Sequence, residues 1–452
     1  MTTTPLSDLL GPLFGSAEAS ALFTDRARLQ GMLDFEAALA RAEARTGVIP
    51  ASAGPAIAEK CRADLFDIAE LAQATAWAGV PAIPMVKRLT ALIAANDPEA
   101  TRYVHWGATS QDAMDTGLVL QLRGYLAVLE GDLRRCGARL ARLAEAHKTT
   151  PLAGRTWLQH ATPVTLGLKA AGWLDAVERH RTRLVEVRGR ALVLQFGGAS
   201  GTLAALGERG LAVAQALAGE LDLALPALSW HAHRDRVAEV GTALGLLVGT
   251  LGKIARDVSL LMQTDVAEAF EPSGEGRGGS STMPHKRNPV SAAVVLAAAT
   301  RAPGLVATLL SAMIQEHERG LGGWHAEWET LPALCVLAAG ALRQTAETME
   351  GIELDPARMR ANLEATQGQI LAEAVTMALG ERIGRLPAHE IVERACRHAA
   401  AKRRHLRDVL AEDPAVTAHL TLADRDRLFD PLQYVGAAAV FVDRVLKSRA
   451  AD

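Results

Sequence analysis

The chain has 452 residues, enough for roughly two to four domains of ordinary size. Hydrophobic residues make up 49% and charged residues 22%, as in ordinary soluble proteins, which excludes a disordered or low-complexity chain. The 48 Lys and Arg residues nearly balance 51 Asp and Glu, giving a formal net charge of -3. This balance argues against a protein that coats nucleic acid or a membrane surface, and favours small molecules or further copies of the chain as partners.

The composition predicts an all-α protein. Aromatic residues reach only 4% while Ala and Leu are abundant, and sheets are built mainly from β-branched and aromatic residues. The four cysteines form no CxxC pair and are expected to be reduced thiols rather than disulfides or zinc ligands. We see no signal peptide and no run of about 20 uncharged apolar residues, so we expect a cytoplasmic protein without membrane contact.

Residues 1–110 predict a small N-terminal helical domain, because short amphipathic segments break at Gly47 to Pro55 and at Gly79 to Pro84. The polar stretch Arg102 to Asp112 then leads into the first long helix.

This polar stretch has the pattern of a helix start. Thr109 and Asp112 fit a capping box, and the free N–H groups at such a start favour an anion. From spacing alone, a simple cap with His105 as a structural histidine is the favoured alternative.

Residues 111–354 predict a central bundle of long helices. Apolar residues recur at steps of three and four from Leu118 and, as strictly as in a coiled coil, from Val237. A third run follows Thr162-Pro163, where Thr can cap and Pro can take the first helical position. The run from Val237 also carries Gly241, Gly245, Gly249 and Gly252, each costing about 1 kcal/mol in a helix interior, so we expect close packing there. Helices this long usually bury their remaining apolar stripes in an oligomer.

The most irregular stretch of this region is the loop 271–289, which is rich in Gly and Ser. A loop this long inside a helical protein is usually functional or disordered. Its residues Ser280, Ser281, Lys286, Arg287 and Asn288 supply groups that can hold a carboxylate or a developing oxyanion. On composition alone, a solvated surface loop is an equal alternative.

Other polar patches are weaker signals. Gly154 to Pro163 precedes a long helix, and the Gly-rich turn Gln195 to Thr202 follows no predicted strand, so a dinucleotide fingerprint is not expected. His231 and His233 suggest a metal, but no Cys, Asp or Glu completes a ligand set, and we predict no metal site.

Residues Glu316 to Arg319 are expected on a helix with a solvated charged face. Trp324 and Trp328, on the same helix, are expected to pack against neighbouring side chains. The remaining residues, 355–452, predict a small C-terminal helical domain broken at Asp413-Pro414 and Asp430-Pro431.

Taken together, these patches resemble the fumarase/aspartase superfamily. Gly279 to Pro289 is similar to its signature loop, and the patches at His105 to Asp112, Thr156 to Pro163 and Gln195 to Thr202 resemble its other blocks in the same order. The resemblance therefore spans essentially the whole chain. It implies three helical domains, a central bundle that forms the multi-helix core of a homotetramer, and active sites shared between subunits.

Within the superfamily, the chain most resembles the cycloisomerases of bacterial aromatic degradation, which close a tricarboxylate into a lactone. The stretches Phe23 to Leu39, Gly154 to Pro163 and Gln315 to Pro332 carry this resemblance. Where the succinyl-adduct lyases have a Thr-His pair, this chain has Thr156-Trp157, so their general acid is missing. A carboxylate is stable as a leaving anion and needs no such acid.

The resemblance also implies roles for individual residues. Ser280 would carry the proton of the α-carbon, and Lys286 and Asn288 would stabilise the enediolate-like charge that forms there. A substrate with three carboxylates needs several binding groups, and the candidates are His105, Thr109, Ser110, Trp157, Gln159, His160, Ser281 and Arg319. No cofactor is expected.

Two alternatives remain open. One is a lyase that releases fumarate from a succinyl adduct, as adenylosuccinate lyase does, against which Trp157 argues. The other is a non-catalytic helical tetramer of the kind that some crystallins form, against which the intact Ser280, Lys286 and Asn288 argue.

Overall fold

The computed structural model of the chain describes residues 9–274, 276–279 and 282–450. Helices dominate this described part of the chain, so the all-α prediction is confirmed. The α-helices are α1 (Gly11–Phe14), α2 (Ala17–Ala21), α3 (Asp25–Arg45), α4 (Ala53–Lys60), α5 (Ile68–Ala78), α6 (Ala82–Ala94), α7 (Ser110–Ala146), α8 (Leu166–Ala191), α9 (Gly210–Leu221), α10 (Asp235–Leu261), α11 (Val290–Ser311), α12 (Gly323–Gly351), α13 (Pro356–Glu364), α14 (Ala372–Ile383), α15 (Arg385–Lys402), α16 (Leu406–Ala411), α17 (Pro414–Thr417), α18 (Leu422–Leu428) and α19 (Ala438–Ala450).

Short elements fill the connections between these helices. Turns of 3-10 helix span Ala63–Leu65, Ala100–Tyr103, Ala204–Arg209, Gln369–Leu371 and Pro431–Tyr434. Strands β1 (Pro151–Thr156) and β2 (Gln159–Thr165) form an antiparallel hairpin, and β3 (Ala269–Phe270) pairs antiparallel with β4 (Glu353–Leu354).

The predicted long helices are present. Helix α7 has 37 residues and α10 has 27, and the apolar stripes that predicted them are buried. On α7, for example, Leu129 and Leu133 are fully buried, as are Leu244 and Leu251 on α10. The period of the apolar residues, rather than helix propensity, decides where these helices lie.

The glycines of α10 allow a close approach of α11. A Cβ at Gly241 would lie 2.3 Å from the side chain of Leu309, and a Cβ at Gly245 would lie 2.7 Å from that of Val306. At Gly252 the nearest atom would be the Ala299 Cβ at 2.8 Å, whereas Gly249 has no neighbour within 4 Å in the described structure. The predicted close packing is therefore confirmed at three of the four glycines.

The hairpin corrects one local prediction. Thr162 and Pro163 do not start a helix but lie in β2, where Pro163 pairs with Ala153 beside an irregularity in the register. Helix α8 starts three residues later, and the Thr165 hydroxyl accepts a hydrogen bond from the N–H of Leu168 at 3.1 Å. Proline lacks an N–H group, so it is tolerated in a two-stranded ribbon at such an irregularity.

The chain divides into two compact units, each made of three stretches. The first contains residues up to Leu133, His180–Gly252 and Val294–Gln344; the second contains Arg134–Arg179, Lys253–Ala293 and the residues from Thr345 onward. These units do not follow the three consecutive regions that helix length predicts, and that division stays a prediction.

In the first unit, α3 crosses α7 at two glycines. A Cβ at Gly31 would lie 2.8 Å from the carbonyl oxygen of Gly117, and one at Gly117 would lie 2.9 Å from the backbone of Gly31. Any larger residue at either position would push the two helices apart. Farther along α7, the buried Tyr125 hydroxyl donates to the carbonyl of Cys335 on α12 at 2.8 Å.

In the second unit, the hairpin rests on C-terminal helices. Leu152, Leu166 and Met359 form one buried cluster, and Ala153 joins a larger core that includes Leu379 and Leu410. The base of the hairpin is therefore packed into a core, which fixes the direction in which its tip projects from this unit.

Two further predictions concern cysteines and membrane spans. Cys61, Cys136, Cys335 and Cys396 are free thiols, as expected. By length and composition, α10 and α11 are apolar enough to cross a membrane, although the sequence prediction saw no such stretch. In α10, 61% of the apolar window is buried, as in a core helix, whereas in α11 the buried share is only 28%.

Candidate active site

The predicted site residues fall into two groups, one in each compact unit. His105, Thr109, Ser110 and Arg319 belong to the first unit. Trp157, Gln159, His160, Lys286 and Asn288 belong to the second. Ser280 and Ser281 lie outside the described residues.

The start of α7 is organised around the buried carboxylate of Asp112. Its Oδ1 accepts hydrogen bonds from the N–H of Gly197 at 3.0 Å and from the Gln195 side chain at 3.2 Å, and lies 2.7 Å from His231 Nε2. Its Oδ2 accepts from the N–H of Thr109 at 3.0 Å and of Gly198 at 2.9 Å. The bond from Thr109 is half of the predicted capping box.

Glycine is required where these two loops meet. Gly198 has a φ of +70° and a Cβ there would lie 2.8 Å from the carbonyl of Gly107. Gly107 also has a φ of +70°, and its Cβ would lie 2.7 Å from the Leu206 side chain. The turn Gln195 to Thr202 thus holds the approach to α7 in place.

One turn along α7, a buried ion cluster surrounds Arg234. Its guanidinium donates to Asp115 at 2.6 and 3.0 Å and to Glu327 at 2.5 to 3.1 Å, and all three residues are almost fully buried. Burial raises the pKa of Glu327, against the lowering effect of Arg234. Trp324 donates its indole N–H to Asp115 at 3.1 Å, so it joins this cluster through a hydrogen bond as well as by packing.

Arg319 connects this framework to the surface. It donates to the side chain of Gln111 at 3.2 Å and to the carbonyl of Ala199 at 3.0 Å. Residues Glu316 to Arg319 lie in the connection between α11 and α12, so the prediction that they are helical was wrong. The irregular backbone there, with His317 at a φ of +46°, breaks the helix before Gly323.

His105 stands beside a buried acid of α3. Its Nδ1 lies 2.5 Å from Glu36 Oε1, and the Glu36 side chain is 1% exposed. Burial by itself would lower the pKa of His105, but the charge and hydrogen bond of Glu36 and the charge of Asp112 together raise it above its ordinary value. Near the helix start at Ser110, His105 and Arg319 therefore provide positive charge suited to a carboxylate.

In the second unit, the hairpin presents Trp157 at its tip. Trp157 and Leu158 form the two-residue turn between β1 and β2 and have φ angles of +53° and +63°. They are 97% and 73% exposed. Such a turn normally carries Asn-Gly, so two large residues in the left-handed region are strained, and strain of this kind clusters at functional sites.

A buried carboxylate holds the hairpin close to its tip. Arg155 makes a bidentate pair with Glu268 at 2.7 and 2.9 Å, and Asn362 donates to the same carboxylate at 2.8 Å. His160, opposite Arg155 in the ladder, has a buried Nδ1 with no hydrogen-bond partner among the described residues. Burial and the charge of Arg155 lower the pKa of His160, which favours its neutral form.

The loop 271–289 is anchored at both ends. The Glu271 carboxylate accepts hydrogen bonds from the N–H groups of Ser291 at 2.9 Å and Ala292 at 2.7 Å, which caps α11. Arg287 makes a bidentate pair with Glu353 of β4, with both N···O distances 2.9 Å, and lies over the ring of Phe270. Hydrogen bonds from Arg287 and Ser273 lower the pKa of Glu353 to about 2.

Asn288 braces the middle of this loop. Its backbone N–H donates to the carbonyl of Gly278 at 2.8 Å and its side chain donates to that of Gly279 at 3.3 Å. Lys286 is exposed, and its N–H donates to the carbonyl of Met283 at 3.1 Å. The structure therefore places Asn288 against the Gly278-Gly279 turn.

Within the described ranges, no group of three or more His, Cys, Asp or Glu residues is placed to hold a metal ion. His231 is bound to Asp112 inside the first unit.

The sequence reasoning missed the buried residues that support the site. Arg234, Asp115, Glu327 and Glu36 were not singled out, and Asp112 was noted only as a cap. The available signal was the pair Asp112 and Asp115, two acids at i and i+3 in the first turns of a helix that is otherwise apolar on that face.

The chain is similar in sequence and in fold to proteins of a known family. The sequence model of the lyase family matches residues 16–304, and that of the adenylosuccinate lyase C-terminus matches residues 368–445. The chain is 63% identical to a 3-carboxy-cis,cis-muconate cycloisomerase of Pseudomonas aeruginosa over 99% of its own length and 97% of the relative's. It is 56% identical to another of Bradyrhizobium diazoefficiens, over 100% of both chains. The crystal structure of the 3-carboxy-cis,cis-muconate lactonizing enzyme of Pseudomonas putida matches with a TM-score of 0.95 at 56% identity, covering 98% of this chain and 99% of that one.

Proposed function

This chain belongs to the lyase family of the fumarase/aspartase superfamily, and on that premise we propose that it is a cycloisomerase that interconverts 3-carboxy-cis,cis-muconate and 4-carboxymuconolactone. The observation that carries the assignment is the 63% identity to a relative of that name along nearly the whole of both chains. An identity this high leaves little room for a different reaction on the same scaffold.

In the forward reaction, a carboxylate oxygen of the substrate forms a C–O bond to an alkene carbon of the same molecule. The electron pair of that double bond moves to the α-carbon and into its carboxylate, which becomes enediolate-like. A proton then bonds to the α-carbon. The reverse reaction removes that proton and breaks the C–O bond.

We assign the proton to Ser280, with Lys286 and Asn288 as donors to the enediolate-like carboxylate. The anchored ends of the loop support this assignment, because Glu271 and Arg287 hold the segment that carries Ser280 between two fixed points. A serine hydroxyl is a weak base unless its anion is stabilised, and Lys286 supplies a positive charge for that purpose.

We propose that two sets of groups, contributed by different subunits, bind the substrate carboxylates. In the first unit, His105, Thr109, Ser110 and Arg319 combine positive charge with a helix start. The second set consists of Gln159, His160 and the ring of Trp157, which belong to the hairpin of the second unit, and of Ser281, which belongs to the loop 271–289. Trp157 occupies the place of the lyases' acid, which this reaction does not need because its leaving group is a stable carboxylate.

We further propose that the protein is a homotetramer with active sites shared between subunits. Two observations support it. Helix α11 has a mean hydropathy of 1.7 over a window that is only 28% buried. The hairpin tip holds Trp157 97% exposed, which is typical of a side chain that is covered in an assembly.

The remaining elements of the proposal are a cytoplasmic location, a role in protocatechuate breakdown through the β-ketoadipate route, and catalysis without a cofactor. The substrate is a small tricarboxylate, and we expect no nucleic-acid or membrane partner.

The experiment must distinguish the cycloisomerase from a lyase that releases fumarate. The purified protein is incubated separately with 3-carboxy-cis,cis-muconate and with adenylosuccinate, and products are identified by proton NMR. Lactone from the first and no fumarate from the second is the expected result. Fumarate without lactone would overturn the proposal.

A further inference from the structure

We propose that Glu36 is a positioning residue for this reaction: it fixes the ring of His105 and supplies its counter-charge, so that His105 Nε2–H binds a carboxylate of the substrate. The inference rests on the proposed function and deepens it. Glu36 lies on α3, about 70 residues before His105. It belongs to the stretch Phe23 to Leu39 that carries the resemblance, but it is not among the candidate site residues.

The geometry leaves one edge of the imidazole for a ligand. Glu36 Oε1 holds Nδ1 at 2.5 Å, whereas Nε2 has no hydrogen-bond partner among the described residues. The His105 side chain is 17% exposed, so the ring is largely buried but open on one side. Because the carboxylate accepts a hydrogen bond from Nδ1–H, Nε2 carries a proton of its own only when the imidazole is cationic.

The backbone also holds His105 in an uncommon conformation. Its φ is +57°, and the loop after it is fixed by Gly107 and by the bond from Thr109 to Asp112. A non-glycine residue in the left-handed region costs free energy and persists only when its surroundings determine it. At His105, this backbone conformation sets the direction in which the imidazole points.

The charges that face His105 come from two helices. Glu36 approaches from α3 and Asp112 from the start of α7, and both favour the cationic imidazole. Glu36 itself faces two further titratable groups, Glu43 on the same helix and Cys61 after α4. Of these two acids, Glu36 is the one that hydrogen-bonds the ring, whereas Asp112 also holds the loop, so the charge of Glu36 can be removed by substitution without moving the loop.

A purely structural bond does not account for this pair. Glu36 Oε2 is buried without a hydrogen-bond partner among the described residues. A buried carboxylate with one oxygen unpaired is costly to the fold. A neutral amide could make the same contact to Nδ1 without a buried charge.

Glu43 offers a matched control. It lies on the same face of α3, is fully buried, and has no hydrogen-bond partner for either oxygen among the described residues. Burial and the nearby charge of Glu36 raise the pKa of Glu43 to about 9, so it is neutral at pH 7. Replacing it by Gln therefore changes neither shape nor charge near neutral pH.

The test compares the pH profiles of KM and kcat for the wild type, Glu36→Gln and Glu43→Gln with 3-carboxy-cis,cis-muconate. With the wild type, KM should rise on the alkaline side as His105 loses its proton. In Glu36→Gln this rise should begin about one to three pH units lower, because an opposite charge beside a titrating group shifts it by that amount. The kcat should change less than KM, and Glu43→Gln should keep the wild-type profile.

Each outcome decides. An unshifted KM rise in a folded Glu36→Gln variant, or an equal shift in Glu43→Gln, overturns the inference. If Glu36→Gln does not fold, His105→Asn replaces it: the alkaline rise should then disappear, and its persistence overturns the inference. A wild type that does not turn the substrate over at any pH overturns the proposed function, and this inference with it.

Discussion

Asp112 and His231 meet inside the first unit, with the carboxylate oxygen Oδ1 2.7 Å from the imidazole Nε2 and both side chains almost fully buried. The same carboxylate receives the backbone N–H groups of Thr109, Gly197 and Gly198. One side chain thus joins the start of α7 to two distant loops.

Replacing Asp112 by Ala should lower the free energy of unfolding by about 3 to 5 kcal/mol, because several buried donors lose their acceptor at once. Urea unfolding followed by circular dichroism measures this. Asp175→Ala removes an exposed carboxylate paired with Arg179, and should cost less than about 1 kcal/mol. Equal effects of the two substitutions would contradict the role given to Asp112.

Glu43 should make stability depend on pH. Its pKa is about 9 in the folded protein and 4.5 as an ordinary side chain, so its contribution is complete below about pH 4.5 and is lost as the pH rises through 9. Between these two pH values, the free energy of unfolding of the wild type should fall by up to about 1.4 kcal/mol per pH unit relative to that of Glu43→Gln. Melting temperatures of both proteins from pH 5 to 9 should therefore diverge, and parallel curves would refute the raised pKa.

Substitutions that relieve the strain at the hairpin tip should raise the stability of the protein and lower its activity. Changing Trp157 to Asn and Leu158 to Gly gives the turn its preferred residues, which should stabilise the protein by about 1 to 2 kcal/mol. Turnover should fall, because we propose that Trp157 contacts the substrate. A double variant with unchanged turnover would remove Trp157 from the site, and one with lower stability would show that the turn is not strained.

The anchor between Arg287 and Glu353 should matter for the loop more than for the fold. Glu353→Gln removes the charge that receives Arg287 and Ser273, so kcat should fall severalfold while the melting temperature changes little. Glu412→Gln, which affects an exposed pair with Arg404, is the control and should leave both values unchanged. A kcat equal to that of the wild type would mean that this anchor does not hold the loop for catalysis.

The extent to which the sequence predicts this molecule differs from residue to residue. Apolar periodicity predicts α7 and α10 correctly, because burial of residues such as Leu129 and Leu244 outweighs the cost of the glycines in α10. The same reasoning misplaced Thr162 and Pro163, since the register of a strand depends on its partner β1 and not on local capping signals.

The buried residues that support the site could not be predicted from local sequence patterns, because their partners are also distant in sequence. Glu36 and His105, like Asp115 and Arg234, are distant in sequence and meet only through the packing of α3 and α10 on α7. Motif resemblance located the groups expected at the substrate, such as Arg319 and Asn288. It carried no information about the buried charges that hold or face them.

The most direct test of the central claim is the ultraviolet absorbance of 3-carboxy-cis,cis-muconate mixed with purified, chelator-treated protein. Lactone closure removes one conjugated double bond, so the wild type should make the absorbance fall, and Ser280→Ala, at the same oligomer mass and melting temperature, should not. An unchanged absorbance with folded wild-type protein would contradict the assignment as a cycloisomerase. A falling absorbance with Ser280→Ala would leave the reaction in place and remove Ser280 as its proton carrier.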